Sequence, residues 1–97
     1  MRLRQRRTDS NQPEIVKALR KAGAFVQSLH TVGNCCPDLI AFLGNRFALL
    51  EVKDGSKPPS ERKLTTLEQA WHAAAGSQHV HIVHSAEEAL AVFGLTV

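Results

Sequence analysis

A single α/β domain, with a mixed central sheet flanked by helices in the order α-β-β-β-α-β-α, is the fold that three observations predict. Two apolar runs of strand-like composition meet at Gly44-Asn45, a two-residue hairpin signal. Three other segments carry apolar residues at helical spacing, each opened by capping residues and followed by a glycine. A chain of 97 residues builds one small core and no more.

The elements follow in order. Residues 1–9 read as a flexible basic arm, and residues 10–97 as the single domain. Ser10 or Asn11 caps a first helix that tolerates Pro13 in its first turn, carries Ile15, Val16, Leu19 and Ala22 as its stripe, and stops at Gly23. Strands are expected over Ala24 to Thr31, Pro37 to Leu43 and Arg46 to Asp54. The second and third are apolar on both faces, which predicts a hairpin covered by helices on both sides. Gly55 to Lys63, rich in Pro and Ser, is a loop. A second helix begins near Thr65 or Thr66, with Glu68 or Gln69 completing a capping box, and buries Leu67, Ala70, Trp71 and Ala74 before Gly76. His79 to His84 forms a fourth strand, and Ser85-Ala86-Glu87-Glu88 opens a third helix that packs through Leu90 and Phe93 and ends at Gly94.

Charge is distributed unevenly. Residues 1–63 hold all twelve Lys and Arg against six acids, a balance of +6, whereas residues 64–97 hold three acids and no Lys or Arg. A basic half of this kind is the footprint of a polyanion binder, because neutralising phosphates releases counterions. Cys35 and Cys36 are adjacent with no other cysteine to pair with, which fits a reducing compartment and lacks the paired spacing of a zinc site. The five histidines add no third ligand at a suitable spacing to His79 and His81, expected on one strand face. No run is long enough for a membrane span, and MRLRQRR lacks the apolar core of a signal peptide, so an intracellular, cytoplasmic protein is expected.

The chemistry lies at the open end of the hairpin. A two-residue turn at Gly44-Asn45 pairs Leu43 with Arg46, and counting outward brings Asp38 opposite Glu51, with Lys53 two residues on along the same face. Opposed residues have Cβ atoms about 4.5–5.5 Å apart, within reach of one cation. Two acids facing each other in apolar strands repel unless something positive lies between them. Oxygen ligands favour a hard ion, Mg²⁺ or Mn²⁺. Lys53 would then orient or deprotonate an attacking water, or offset charge on a phosphorus centre.

Pro37-Asp38, twelve intervening residues and Glu51-Val52-Lys53 resemble the PD-(D/E)xK nuclease superfamily, with Cys36 where a small residue often precedes the motif. The continuation LTTLEQAWH, Gly76 and HVHIVH is similar to the virus-type replication-repair nuclease (VRR-Nuc) family. The likeness spans roughly residues 11–93. It implies a restriction-endonuclease-like core and metal-dependent hydrolysis of DNA leaving a 5′-phosphate. It further implies that the Val52 carbonyl joins Asp38 and Glu51 on the metal, that Glu14 on the first helix adds an acid, and that Gln69 joins the site. Short members of this kind resemble dimeric Holliday-junction resolvases, which makes a homodimer on branched or four-way DNA the expected assembly. Arg4, Arg6, Arg7, Lys17, Arg20, Lys21, Lys57, Arg62 and Lys63 are the candidate phosphate contacts. A flap or nicking nuclease, a non-catalytic DNA-binding module on the same fold and a structural subunit with a stabilising metal are the alternatives.

Overall fold

In the computed structural model, which describes residues 10–96, the chain forms three α-helices and one four-stranded sheet. Helix α1 is Gln12–Lys21, strand β1 Phe25–Ser28, β2 Leu39–Leu43 and β3 Arg46–Val52. Helix α2 is Thr66–Ala75, β4 Val80–Val83 and α3 Ala86–Val92. Single 3₁₀ turns, Pro59–Glu61 and Ser77–His79, precede α2 and β4. The order of elements is the one the sequence predicts.

Strand order in the sheet is β1-β2-β3-β4, antiparallel through β3 and parallel between β3 and β4. The parallel pair follows from α2, because a helix between two strands returns the chain to its starting edge. The hairpin register is the one counted from Gly44-Asn45, from Leu43 opposite Arg46 to Leu39 opposite Leu50. Gly44 makes the turn at a φ of +64°, where an L side chain is strained.

One face of the sheet holds the core. Val26, Leu39, Ala41, Ala48, Leu50, Val52 and Val83 are buried there against Ile15 and Leu19 of α1 and Ala89, Leu90 and Phe93 of α3. Leu19 is fully buried. Leu19→Ala is expected to cost roughly 2–5 kcal/mol, a large share of the stability of so small a domain, and chemical unfolding measures it.

The opposite face departs from expectation. Helix α2 covers it only at the site end, and Phe25, Phe42 and Phe47 remain 62%, 42% and 52% exposed. The helix is also rotated from the predicted orientation. Leu67, Ala70 and Ala74 face solvent, Trp71 is half-buried, and the buried residues are Glu68 and His72. Apolar periodicity misplaces the inner face here because polar residues on α2 are turned toward polar residues on β3.

Several ends are shorter than the sequence reading. Strand β1 stops at Ser28, since a turn closed by the Val32 N–H on the Leu29 carbonyl diverts the chain. His79 lies in the 3₁₀ turn before β4, stacked on Phe47, so it does not share a strand face with His81. Asn11 occupies the cap position of α1 but makes no side-chain cap. Its Nδ2 instead donates to the carbonyls of Lys53, at 3.2 Å, and His84, at 2.9 Å, tying the start of α1 to the ends of β3 and β4. No helix among the described residues is long and apolar enough to cross a membrane. The basic arm, with Arg4, Arg6 and Arg7, lies outside the described residues.

Candidate functional site

Asp38 stands immediately before β2, and its backbone is held on both sides. Its N–H donates to the Leu50 carbonyl at 3.0 Å, and its carbonyl accepts from the Leu29 N–H at 2.8 Å. The carboxylate is fixed as well, because Oδ2 accepts the Val52 N–H at 2.8 Å. Glu51 arrives from β3 on the sheet face away from the core, only 1% exposed, and hydrogen-bonds Asp38 through its side chain. The facing acids counted from the hairpin therefore meet.

That meeting has an electrostatic cost. Burial pushes the Glu51 carboxyl up to about 8 from an ordinary 4.5, with the charges of Asp38 and then Glu68 adding to the rise and Lys53 opposing it. A buried acid beside a second acid is held protonated by desolvation and by like charge. Its Oε1 has no hydrogen-bond partner although it is fully buried.

Lys53 lies one residue beyond β3, and its Nζ is 3.0 Å from Glu68 Oε1. The same Oε1 accepts the Thr65 N–H at 2.9 Å, while Thr65 Oγ1 accepts the Glu68 N–H at 3.1 Å. The capping box that starts α2 thus also anchors the lysine of the Glu-x-Lys motif. Glu68→Ala keeps the Thr65 cap on the backbone N–H but removes the side-chain half of the capping box and leaves a largely buried ammonium without this carboxylate. A loss of about 2–4 kcal/mol is expected by urea unfolding.

One turn along α2, His72 brings Nε2 to 3.5 Å from Glu51 Oε1. That nitrogen too is buried without a hydrogen-bond partner. Burial holds the imidazole below its ordinary value, Glu68 opposing the fall and Lys53 adding to it. The inward face of α2 is therefore Glu68 and His72, a helical i, i+4 pair laid over the carboxylates.

Gln69 is not on that face. Its side chain is exposed and donates to the Leu64 carbonyl at 3.2 Å, so the polar group α2 delivers to Lys53 is Glu68. The reason is geometric, since neighbouring residues on a helix point about 100° apart and the Thr65 cap fixes which of them turns inward. As site residues both Glu68 and His72 escaped the sequence reading, in which Glu68 figured only as a capping-box candidate. Their signal was present in the capping box Thr65-x-x-Glu68 and in the i+4 spacing to His72, but the apolar stripe suggested the other face.

Glu14 is exposed in the first turn of α1, on the layer opposite α2, and is not among the charges acting on Glu51. Lys17, Arg20 and Lys21 are exposed on the same helix, Arg20 donating to the Val26 carbonyl at 3.2 Å. Lys57 and Lys63 are exposed in the loop beyond β3, where Arg62 Nε donates to the Lys57 carbonyl at 2.8 Å. Among the described residues no three His, Cys, Asp or Glu side chains converge as a ready-made cage. Two carboxylates alone leave most of a cation's coordination to water and phosphate, the habit of Mg²⁺.

No family model and no curated protein sequence matches the chain. Among solved structures, one described as a VRR_NUC domain superposes with a TM-score of 0.63, at 19% identity, over 88% of this chain and 96% of its own length. The likeness first read from Pro37-Asp38, Glu51-Val52-Lys53 and the α2 segment is met in three dimensions, and the chain has the fold of a VRR_NUC domain.

Proposed function

We propose that the chain is a metal-dependent DNA endonuclease, hydrolysing phosphodiester bonds in branched DNA and acting as a homodimer on four-way junctions. The observation that carries this reading is Glu51, a fully buried carboxylate pressed against Asp38 with one oxygen unpartnered. Such an arrangement destabilises the fold by itself, and a divalent cation offsets it. The donors suit Mg²⁺ or Mn²⁺, which prefer carboxylate oxygen and retain water.

Asp38 and Glu51 would hold the cation, with the Val52 carbonyl as the further ligand. When bound, the ion supplies Lewis-acid polarisation of the phosphate and a water of lowered pKa. Asp38 is oriented for this by the Val52 N–H. Glu68 steadies Lys53, whose ammonium would stabilise negative charge gathering on the phosphate oxygens. Lys57, Arg62 and Lys63, in the loop that follows Lys53, would grip the backbone near the scissile bond, and Lys17, Arg20, Lys21 and the arm would hold more distant phosphates.

The test is cleavage of four-way junction, flap, splayed and linear duplexes with Mg²⁺ or Mn²⁺, alongside the mass of the protein in solution. Junction cleavage by a dimer is expected. A monomer that cuts flaps replaces the resolvase assignment, and no cleavage of any substrate favours a non-catalytic DNA-binding module.

A further inference from the structure

Among the described residues, three buried side-chain polar atoms lack a hydrogen-bond partner, and two of them face each other. They are Glu51 Oε1 and His72 Nε2, 3.5 Å apart, on residues only 1% and 7% exposed. Leaving buried polar atoms unsatisfied costs stability, so native chains rarely keep such a pair without a use. Helix α2 exposes Leu67 while it buries this histidine, an exchange that apolar burial alone would reverse.

Both elements are spaced for the pairing. Glu51 and Lys53 are two residues apart along the extended chain and share a face, about 6.6 Å from one another at the rise of a strand. Glu68 and His72 are four residues apart on α2, about 6 Å at the rise of a helix. Because the two spacings match, α2 lays Glu68 on Lys53, at 3.0 Å, and His72 on Glu51. Each end of the Glu-x-Lys motif thus receives its own partner from one helix, whose rotation is set by the Thr65 capping box.

We infer that His72 is a positioning residue for Glu51: with its hydrogen on Nε2, the imidazole donates to Oε1 of the ionised carboxylate and leaves the other oxygen to the cation. The inference rests on the metal reading given above and adds to it a hydrogen bond that forms when the site is loaded. Since Oε1 has no partner, the contact of Glu51 with Asp38 runs through the other oxygen, so the two sides of this carboxylate are already divided. A closure of about 0.3–0.8 Å brings the 3.5 Å separation into the range of an N–H···O bond. Outer hydrogen bonds of this kind hold a ligating carboxylate in the orientation its metal requires.

The test compares Mn²⁺ affinity by calorimetry in the wild type, His72→Leu and His72→Gln, with urea unfolding in a chelator beside it. Leucine keeps the bulk and loses the donor, whereas the glutamine amide places an N–H where Nε2 stood. His72→Leu is expected to weaken Mn²⁺ binding about 10- to 100-fold, and His72→Gln to stay within about threefold of wild type. Metal-free His72→Leu is expected to be at least as stable as wild type, because an unsatisfied buried group is gone. A leucine variant that binds Mn²⁺ as tightly as wild type overturns the inference, as does a glutamine variant as weak as the leucine one. Nitrogen-15 NMR of the Mg²⁺-loaded wild type reads the same bond without a substitution. A proton on His72 Nε2 is expected there, and a bare Nε2 overturns the inference. A wild type that binds no Mn²⁺ removes the metal reading and this inference with it, whereas equal binding by wild type and His72→Leu removes this inference alone.

Discussion

Replacing Asp38 or Glu51 by alanine is expected to lower DNA cleavage in Mg²⁺ or Mn²⁺ on the order of 10³-fold, with each variant still folded. The size of the loss follows from removing a group that acts on the reacting phosphate in the transition state. Folding is expected to survive because Glu51 lies on the face of β3 away from the core, which is built on the other face from Leu50 and Val52. Asp38→Ala is the harsher change structurally, since its carboxylate accepts the Val52 N–H. Asp38→Asn keeps that acceptor and separates the two effects. Single-turnover rates on one DNA substrate, with far-ultraviolet circular dichroism, make the comparison. Retained cleavage in both alanine variants would contradict the mechanism.

The second large effect is on stability, and it is visible without DNA. In metal-free protein the Glu51 carboxyl titrates at about 8, against 4.5 for the ordinary group. Between those values the native state holds a proton that the unfolded chain releases, so stability falls as pH rises through the window. The loss is complete above about 8, with a ceiling of roughly 5 kcal/mol. His72 is held low by burial and acts oppositely, losing stability as pH falls below its ordinary 6.5, so the Glu51 effect is clearest from pH 6.5 to 8.5. Urea unfolding in a chelator is expected to show wild type weakening over that range, while Glu51→Gln stays level and exceeds it at pH 8.5. Equal slopes for the two proteins would remove the buried acid from the account. Added Mg²⁺ is expected to restore wild type most at the alkaline end, where Glu51 is already ionised.

The legible part of the site was the part written on the hairpin. A two-residue turn fixes register, and strand alternation then fixes which side chains share a face, so Asp38 and Glu51 followed by counting. Element order was legible for the same reason, from caps, glycines and apolar spacing. Helix α2 was not, because its inner face is chosen by what Glu68 and His72 meet on β3. Long-range polar contacts leave no periodic trace. The open sheet face was misread by a similar route, since Ile40, Phe42, Phe47 and Leu49 look like core by composition. Whether a helix of this chain or another molecule covers them is a property of the assembly.

Asn11 illustrates the same limit at one residue. Its position before Pro13 reads as a cap, yet its amide spans to Lys53 and His84. A contact more than forty residues distant displaced a local one. That amide anchors the segment carrying the candidate lysine to the start of α1.

The central claim is that Asp38 and Glu51 together hold a divalent cation. Calorimetric titration of Mn²⁺ into the wild type, Asp38→Asn and Glu51→Gln, repeated in buffers of different ionisation enthalpy near pH 7, addresses it directly. Binding by the wild type with release of a proton from Glu51, and loss of that binding in both variants, is the predicted result. Equal Mn²⁺ affinity in all three proteins would contradict it.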